Sequence, residues 1–162
     1  MTATTGNDTQ IHADPLVPTI RIEREFDAPP ERVFRAFVDP ELVAQWMGPR
    51  SIRMQIEHWD ARTGGSYRHR GLGEGVDVGF YGSFHEVRPH ERIVQTFAYD
   101  GAPDSVSLET MTFEELPDGR TRAVGLSMVD SFEARDAMLA SGMDVGVVEG
   151  YEKLDELLAR RP

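Results

Sequence analysis

Residues 131–160 read SFEARDAMLASGMDVGVVEGYEKLDELLAR and decide the fold. Apolar residues recur at helical spacing in this stretch, which predicts one long amphipathic helix at the end of the chain. Gly142, Gly146 and Gly150 lie four residues apart beside the apolar stripe. Each glycine costs a helix interior roughly 1 kcal/mol against alanine, so three on one side need a reason. Either another backbone packs closely against this helix, or the helix covers a space that side chains would otherwise fill.

The segments before this helix predict an α+β fold. Residues Thr19–Phe26 alternate as a strand does, and Pro29-Pro30 and Asp39-Pro40 each begin a short helix. From Ile52 to Val129 apolar residues alternate with polar ones between glycine- and proline-rich turns, which predicts about six more strands in an antiparallel meander. A half-wrapped sheet must bury its inner face, and only the last helix is long enough to cover it. We therefore expect a curved antiparallel sheet of about six to seven strands gripping a long C-terminal helix, with two short helices after the first strand.

Length and charge exclude several classes of protein. The 162 residues suit one domain, and the formal net charge of −11 provides no basic surface for nucleic acid or an anionic membrane. The absence of cysteine excludes a disulfide framework and cysteine metal sites. No apolar run approaches the roughly 20 residues of a membrane span. Residues 1–18 are polar and lack the features of a secretory signal, so we predict a disordered tail, a domain over 19–162 and a cytoplasmic location.

Four groups of residues resemble a known family. They are Phe26-Asp27-Ala28-Pro29 with Asp39-Pro40-Glu41-Leu42 and Trp46; Asp60, Arg62 and Gly64-Gly65; Gly82 to Val87 with Glu91-Arg92-Ile93; and Glu133 to Asp136 with Gly142-Met143 and Gly146. Together they resemble the START-like (SRPBCC, helix-grip) superfamily, in the branch named for the activator of heat-shock-protein-90 ATPase. That branch also contains polyketide-resistance and cyclase-like proteins. The resemblance covers about residues 19–160 and implies a shared scaffold and cavity rather than one chemistry.

The resemblance implies a deep pocket between the sheet and the last helix, suited to an apolar small molecule. Large aromatic residues and methionines are plentiful at positions expected to face that helix, and both kinds of side chain are common in apolar pockets. The alternative is that they simply fill a core. The candidate ligand-binding residues are Trp46, Tyr67, His69, Phe84, Phe97, Met111, Met128, Met143, Val147 and Tyr151.

Signals for catalysis or metal binding are weak. The chain contains no nucleophile elbow, phosphate-binding loop, zinc-protease motif or dinucleotide fingerprint, so we expect no cofactor and no metal. His58, His69 and His85 lie on strands that a meander could bring together, and His69 is the best candidate to bind a ligand oxygen because it shares a strand face with Tyr67. Glu109 and Arg70 could point inward on adjacent strands or outward into solvent; a buried charge would need a partner.

Three functions are compatible with these observations. The first is non-enzymatic binding of a small hydrophobic or aromatic molecule. The second is a polyketide cyclase or hydrolase, which would need polar groups converging on the cavity. The third is a chaperone-activating module, a partner raised by the resemblance alone. A homodimer is also open; because we expect the glycine face to be buried within its own chain, a dimer would use sheet edges or the short helices.

Overall fold

The computed structural model describes residues 6–160 of the chain. Eight strands and four helices follow one another in the order expected from the sequence, apart from one additional strand and one break in a helix. They are β1 (Gln10–Ala13), β2 (Thr19–Phe26), α1 (Pro30–Val38), α2 (Pro40–Trp46), β3 (Arg53–Trp59), β4 (Ser66–Gly73), β5 (Val76–Arg88), β6 (Arg92–Tyr99), β7 (Val106–Glu115), β8 (Thr121–Met128), α3 (Phe132–Ala140) and α4 (Met143–Ala159).

All eight strands form one antiparallel sheet, in the order β1-β2-β8-β7-β6-β5-β4-β3. Strands β3 to β8 are a meander of neighbours, and β8 closes back onto β2, whose Phe26 pairs with Thr121. The helices lie on the inner face of the curved sheet, with α1 and α2 at one end. The predicted fold class, an α+β helix-grip architecture, is confirmed.

The two short helices begin where the sequence predicts. Pro30 is the first residue of α1, and Pro40 is the first residue of α2. The Asp39 carboxylate accepts a hydrogen bond from the Glu41 backbone N–H at 3.0 Å, which satisfies one of the free donors of the first turn. Helix α2 ends at Trp46, and Gly48 with φ +90° turns the chain away.

The predicted disordered tail over residues 1–18 is wrong where Gln10–Ala13 form β1. This strand pairs with β2 in register, Gln10 opposite Glu23 and Ala13 opposite Ile20. The physical reason is that β2 would otherwise be an edge strand with unpaired backbone groups, and a short strand of low hydropathy is enough to cover it. Residues 1–5 lie outside the described residues.

The single long helix predicted over residues 131–160 is also wrong, because the chain breaks at Ser141-Gly142 into α3 and α4. Gly142 has φ +85°, a conformation that ends a helix and that glycine adopts without steric cost. Arg135 is the only buried residue of α3, and its guanidinium donates to the backbone oxygens of Asp14 at 2.8 Å and Thr19 at 3.0 Å. None of the helices described between residues 6 and 160 is long and apolar enough to cross a bilayer.

The hydrophobic core lies beneath the C-terminal half of α4. Leu154 is fully buried there, and Tyr151 and Leu158 are nearly so. An ion pair supports the same half: the Arg24 guanidinium on β2, only 5 % exposed, donates to both carboxylate oxygens of Asp155 at 2.7 and 2.5 Å. The bidentate geometry restrains α4 laterally on the sheet.

Gly150 lets α4 approach the backbone that follows α2. A Cβ atom at this position would lie 3.1 Å from the Trp46 carbonyl oxygen and 3.4 Å from the Gly48 nitrogen. Backbone atoms cannot move aside as a flexible side chain can. At Gly150 the close-packing interpretation of the glycine row therefore holds.

We expect Gly150→Leu to destabilise the protein, because the added side chain overpacks a contact between two backbones. The expected loss is about 1–3 kcal/mol or more in the free energy of unfolding, despite the better helix propensity of leucine. Val148→Leu on the exposed side of the same helix is the control and should change stability by less than about 0.5 kcal/mol. Urea unfolding followed by tryptophan fluorescence measures both; equal stability of the two variants would contradict the close contact.

Candidate functional site

A cavity of about 860 Å³ lies between the inner face of the sheet and the helices α3 and α4. Its floor is formed by β3 to β7, and its far wall by the turn Met47–Pro49. Small residues face it from above: Ala134 and Ala137 on α3, and Gly142 and Gly146 at the start of α4. Because these positions carry little or no side chain, the helices cover the space without filling it.

The two interpretations of the glycine row thus apply to different glycines. Gly150 packs against backbone, whereas Gly142 and Gly146 line the cavity. Gly146 is intermediate, since a Cβ atom there would lie 3.3 Å from Cδ of Pro49. The helix is held tightly at one end and stands over open space at the other.

Seven of the ten predicted ligand-binding residues line this cavity. Aromatic and methionine side chains dominate among them, as expected for an apolar pocket. The seven are Trp46, His69, Phe97, Met111, Met143, Val147 and Tyr151.

Two predicted residues are buried beside the cavity without lining it. Tyr67 is 3 % exposed, and its hydroxyl donates to the Thr96 carbonyl oxygen at 2.6 Å in the space left by Gly82. Phe84 is 2 % exposed and packs against Tyr67 and Trp59, with ring centroids 5.2 and 5.9 Å away. Both side chains belong to the hydrophobic core and not to the cavity wall.

Met128 does not face the cavity, and its predicted position is wrong. It is 46 % exposed on the outer face of the sheet, where it pairs with Leu108 and Thr19. Side chains alternate along a strand, and β8 buries Thr121, Ala123 and the following odd-numbered positions. This alternation in the sequence could have placed Met128 outside.

Sequence reasoning missed a group of cavity residues because their approach to the cavity depends on how helices, strands and loops pack together. Strand alternation could have predicted Phe80, because it lies four residues before the buried Phe84 on β5. Its ring stacks on Phe97, with the ring centroids 5.3 Å apart. The others lie on α1, α3, β3, β5 and β6 as well as in the loops beside them. They include Phe37, Met47, Ile52, Met54, Val78, Tyr99, Ala102 and Met138.

His69 is the histidine that the fold brings into the cavity. Its ring is 7 % exposed and lies between the rings of Tyr67 and Phe80, with centroids 6.0 and 5.4 Å away. It makes no hydrogen bond to any residue between 6 and 160. Burial lowers the pKa of His69 to about 4, so the imidazole is neutral at pH 7 and offers one donor and one acceptor.

His58 and His85 do not join it. Both are exposed, and His58 contacts the Ser66 hydroxyl at 3.0 Å. Within residues 6–160 no group of three or more histidine, aspartate and glutamate side chains is arranged to hold a metal ion.

Glu109 and Arg70 lie on opposite faces of the sheet and not on adjacent strands as predicted, because β5 and β6 separate β4 from β7. Glu109 points inward and accepts hydrogen bonds from the hydroxyls of Ser107, at 2.7 Å, and Ser127. Burial raises the pKa of Glu109. Arg70 points outward, and its guanidinium donates to Asp77 at 2.6 and 2.7 Å.

Tyr151 supplies a hydroxyl from the helix side. The residue is 6 % exposed, and its ring packs edge-on against Phe26 at 5.2 Å and lies 5.9 Å from Trp46. The hydroxyl has no hydrogen-bond partner in the described part of the chain. Burial raises the pKa of Tyr151, which keeps it protonated and able to donate.

The polar groups of the interior are spread out. His69 on β4 and Glu109 on β7 are three strand spacings apart, about 14 Å along the sheet. General acid–base catalysis needs groups that reach the same reacting atom. The arrangement therefore suits recognition of a ligand at separate points better than proton transfer between these two residues.

Comparison with known proteins adds a family and a set of structures. A family model described as "Activator of Hsp90 ATPase homolog 1-like protein" matches residues 27–159. The solved structure of protein Ms6760 from Mycobacterium smegmatis is similar, with 27 % identity, a TM-score of 0.86 and coverage of 95 % of this chain and 98 % of that one. Protein CV1439 from Chromobacterium violaceum shares 30 % identity, with a TM-score of 0.76 and coverage of 88 % and 99 %. No curated protein matches this chain.

We expect the burial of His69 to make stability depend on pH. Its folded pKa of about 4 lies below the ordinary value of 6.5, so the unfolded chain binds a proton more readily. The stabilising contribution of neutral His69 is complete above pH 6.5 and is lost as pH falls towards 4.

Between pH 7 and pH 5, wild type should lose about 1–2 kcal/mol more stability than His69→Gln. Glu109 titrates with the opposite sign but is present in both proteins, so the comparison isolates His69. The exposed His85→Gln variant is the control and should follow wild type. Parallel curves for wild type and His69→Gln in urea unfolding at the two pH values would show that His69 is not buried as described.

Proposed function

This chain belongs to the family of Activator of Hsp90 ATPase homolog 1-like proteins, and from that premise we propose that it binds a small hydrophobic or aromatic molecule. The site is the cavity between the sheet and the C-terminal helices. The proposal is argued from the cavity and not from the fold, because one scaffold of this kind supports several activities.

The observation that carries the proposal is the cavity itself. Its volume of about 860 Å³ falls within the range of small-molecule sites, roughly 300–1,000 Å³. Aromatic rings, methionines and aliphatic side chains form most of its surface. A protein interior of ordinary packing density would leave no such space.

The apolar wall can supply the affinity without any charged contact. A ligand that buries about 300 Å² of apolar surface would gain roughly 7 kcal/mol at about 25 cal/mol per Å², before the costs of association are subtracted. A gain of about 7 kcal/mol corresponds to a dissociation constant of roughly 10 μM, and the costs of association weaken the affinity from there, about tenfold for each 1.4 kcal/mol.

Two alternatives have weaker support. A cyclase or hydrolase reaction would need polar groups at one reacting atom, whereas His69 and Glu109 lie on strands separated by two others. A chaperone-activating role rests on the description of the family alone. Such a module would act through its surface, so filling the cavity would leave it active, whereas filling the cavity abolishes the function proposed here.

We expect Val147→Trp to abolish binding of the uncharged dye N-phenyl-1-naphthylamine, because the indole occupies the cavity. Val147 lines the cavity on α4, and the neighbouring Val148 is 36 % exposed and does not line it. Val148→Trp is therefore a control with the same change in mass and composition. Dye fluorescence titrations should show at least about a tenfold weaker affinity for Val147→Trp and wild-type affinity for Val148→Trp.

Thermal unfolding of both variants distinguishes a filled cavity from a damaged fold. Val147→Trp should keep a melting temperature near that of wild type, since the added volume enters open space. Equal dye binding by wild type and a folded Val147→Trp would refute the cavity as the binding site.

A further inference from the structure

We infer that the cavity selects uncharged ligands carrying a hydrogen-bonding oxygen or amide, and that it rejects carboxylates of the same shape. The inference rests on the proposed function, because it names the chemical class of ligand for that cavity. It comes from the charges that line the space and from two polar side chains that lack partners.

Within the described range 6–160, no charged side chain is available inside the cavity to pair with a charged ligand. None of the lining residues is acidic, and only His69 and Arg70 are basic. Arg70 is not free to turn inward, because Asp77 holds its guanidinium at 2.6 Å and Glu57 approaches it at 3.7 Å, both on the outer face of the sheet. A carboxylate entering the cavity would lose its hydration without gaining a counter-ion, which is costly.

His69 cannot act as that counter-ion at neutral pH. Its ring is enclosed by Tyr67 and Phe80, and burial holds its pKa at about 4. A neutral imidazole can still donate one hydrogen bond and accept another. The imidazole can therefore form a hydrogen bond with a neutral polar group of a ligand, but it offers no positive charge to balance an anionic one.

Tyr151 provides a second point of contact from the opposite wall. Its hydroxyl has no partner among residues 6–160, although the residue is 6 % exposed and lines the cavity. Both groups face the cavity instead of another polar atom in the described part of the chain, so a polar group of a ligand can bind to each of them. One group lies on β4 of the sheet and the other on α4, so a flat, ring-containing ligand between them would meet both walls.

The experiment compares two ligands that differ in charge and hardly in shape. At pH 7.5, 2-naphthamide is uncharged and 2-naphthoate carries one negative charge. Each is titrated against the full-length protein loaded with N-phenyl-1-naphthylamine, and displacement of the dye is measured. We expect 2-naphthamide to displace the dye at concentrations at least about tenfold lower than 2-naphthoate.

Two variants test the assigned partners. His69→Leu and Tyr151→Phe each remove a hydrogen-bonding group and keep nearly the same volume. Each should weaken 2-naphthamide about three- to tenfold and leave 2-methylnaphthalene, which forms no hydrogen bond, unchanged. Because neither group bonds to the described part of the chain, both variants should fold, and thermal unfolding checks this.

The outcomes separate the two levels of the proposal. If the dye and 2-naphthamide both fail to bind wild type, the proposed function falls and the inference falls with it. If the dye binds but amide and carboxylate displace it equally, the proposed function stands and the selectivity is refuted. If the amide is preferred but neither variant weakens it, the assignment of His69 and Tyr151 is refuted.

Discussion

The close approach of α4 to the backbone after α2 is the contact on which the rest of the interior depends. Gly150 allows it, because any side chain there would meet the Trp46 carbonyl oxygen. Next along the helix, Leu154 and Leu158 enter the core, and Asp155 binds the buried Arg24 guanidinium. The C-terminal half of α4 is thus held by packing and by charge, and its direction over the sheet follows from that half alone.

The N-terminal half of α4 and all of α3 have no comparable attachment. Gly142 breaks the helix, and α3 buries only Arg135, which binds backbone oxygens at the edge of the sheet rather than the floor. Two alanines and two glycines face the sheet in this region beside Met138, Met143 and Val147, and at the small residues the two surfaces stand apart. Because one half of this helical layer packs tightly and the other half does not, a cavity forms in a domain of ordinary size. The C-terminal end of α4 stabilises the fold, and its N-terminal end covers the space for a ligand.

Charged side chains are also unevenly distributed between the surface and the cavity. The net charge of −11 is carried on the outside, where arginines form ion pairs such as Arg50 with Glu156 at 2.7 Å and Arg70 with Asp77. Beside the cavity, His69 stays neutral and Glu109 becomes easier to neutralise, because burial lowers the pKa of His69 and raises that of Glu109. The cavity therefore offers polarity without an available charge, and that combination determines which molecules it can accept.

The sequence by itself determined the order of the elements, the antiparallel sheet, the starts of the two short helices at Pro30 and Pro40, and five of the eleven Phe, Trp, Tyr and Met residues that line the cavity. These follow from local rules: strand alternation, capping and the turn residues. Local rules also explain the errors, since Met128 was placed on the wrong face and the break at Gly142 was interpreted as part of a small-residue stripe. Only the tertiary structure decided that Gly150 packs while Gly146 lines open space, that β1 covers β2, and that His69 and Tyr151 find no hydrogen-bond partner among residues 6–160. These features depend on distances between residues far apart in the chain, and such distances are set by how the layers pack rather than by any periodicity within one segment.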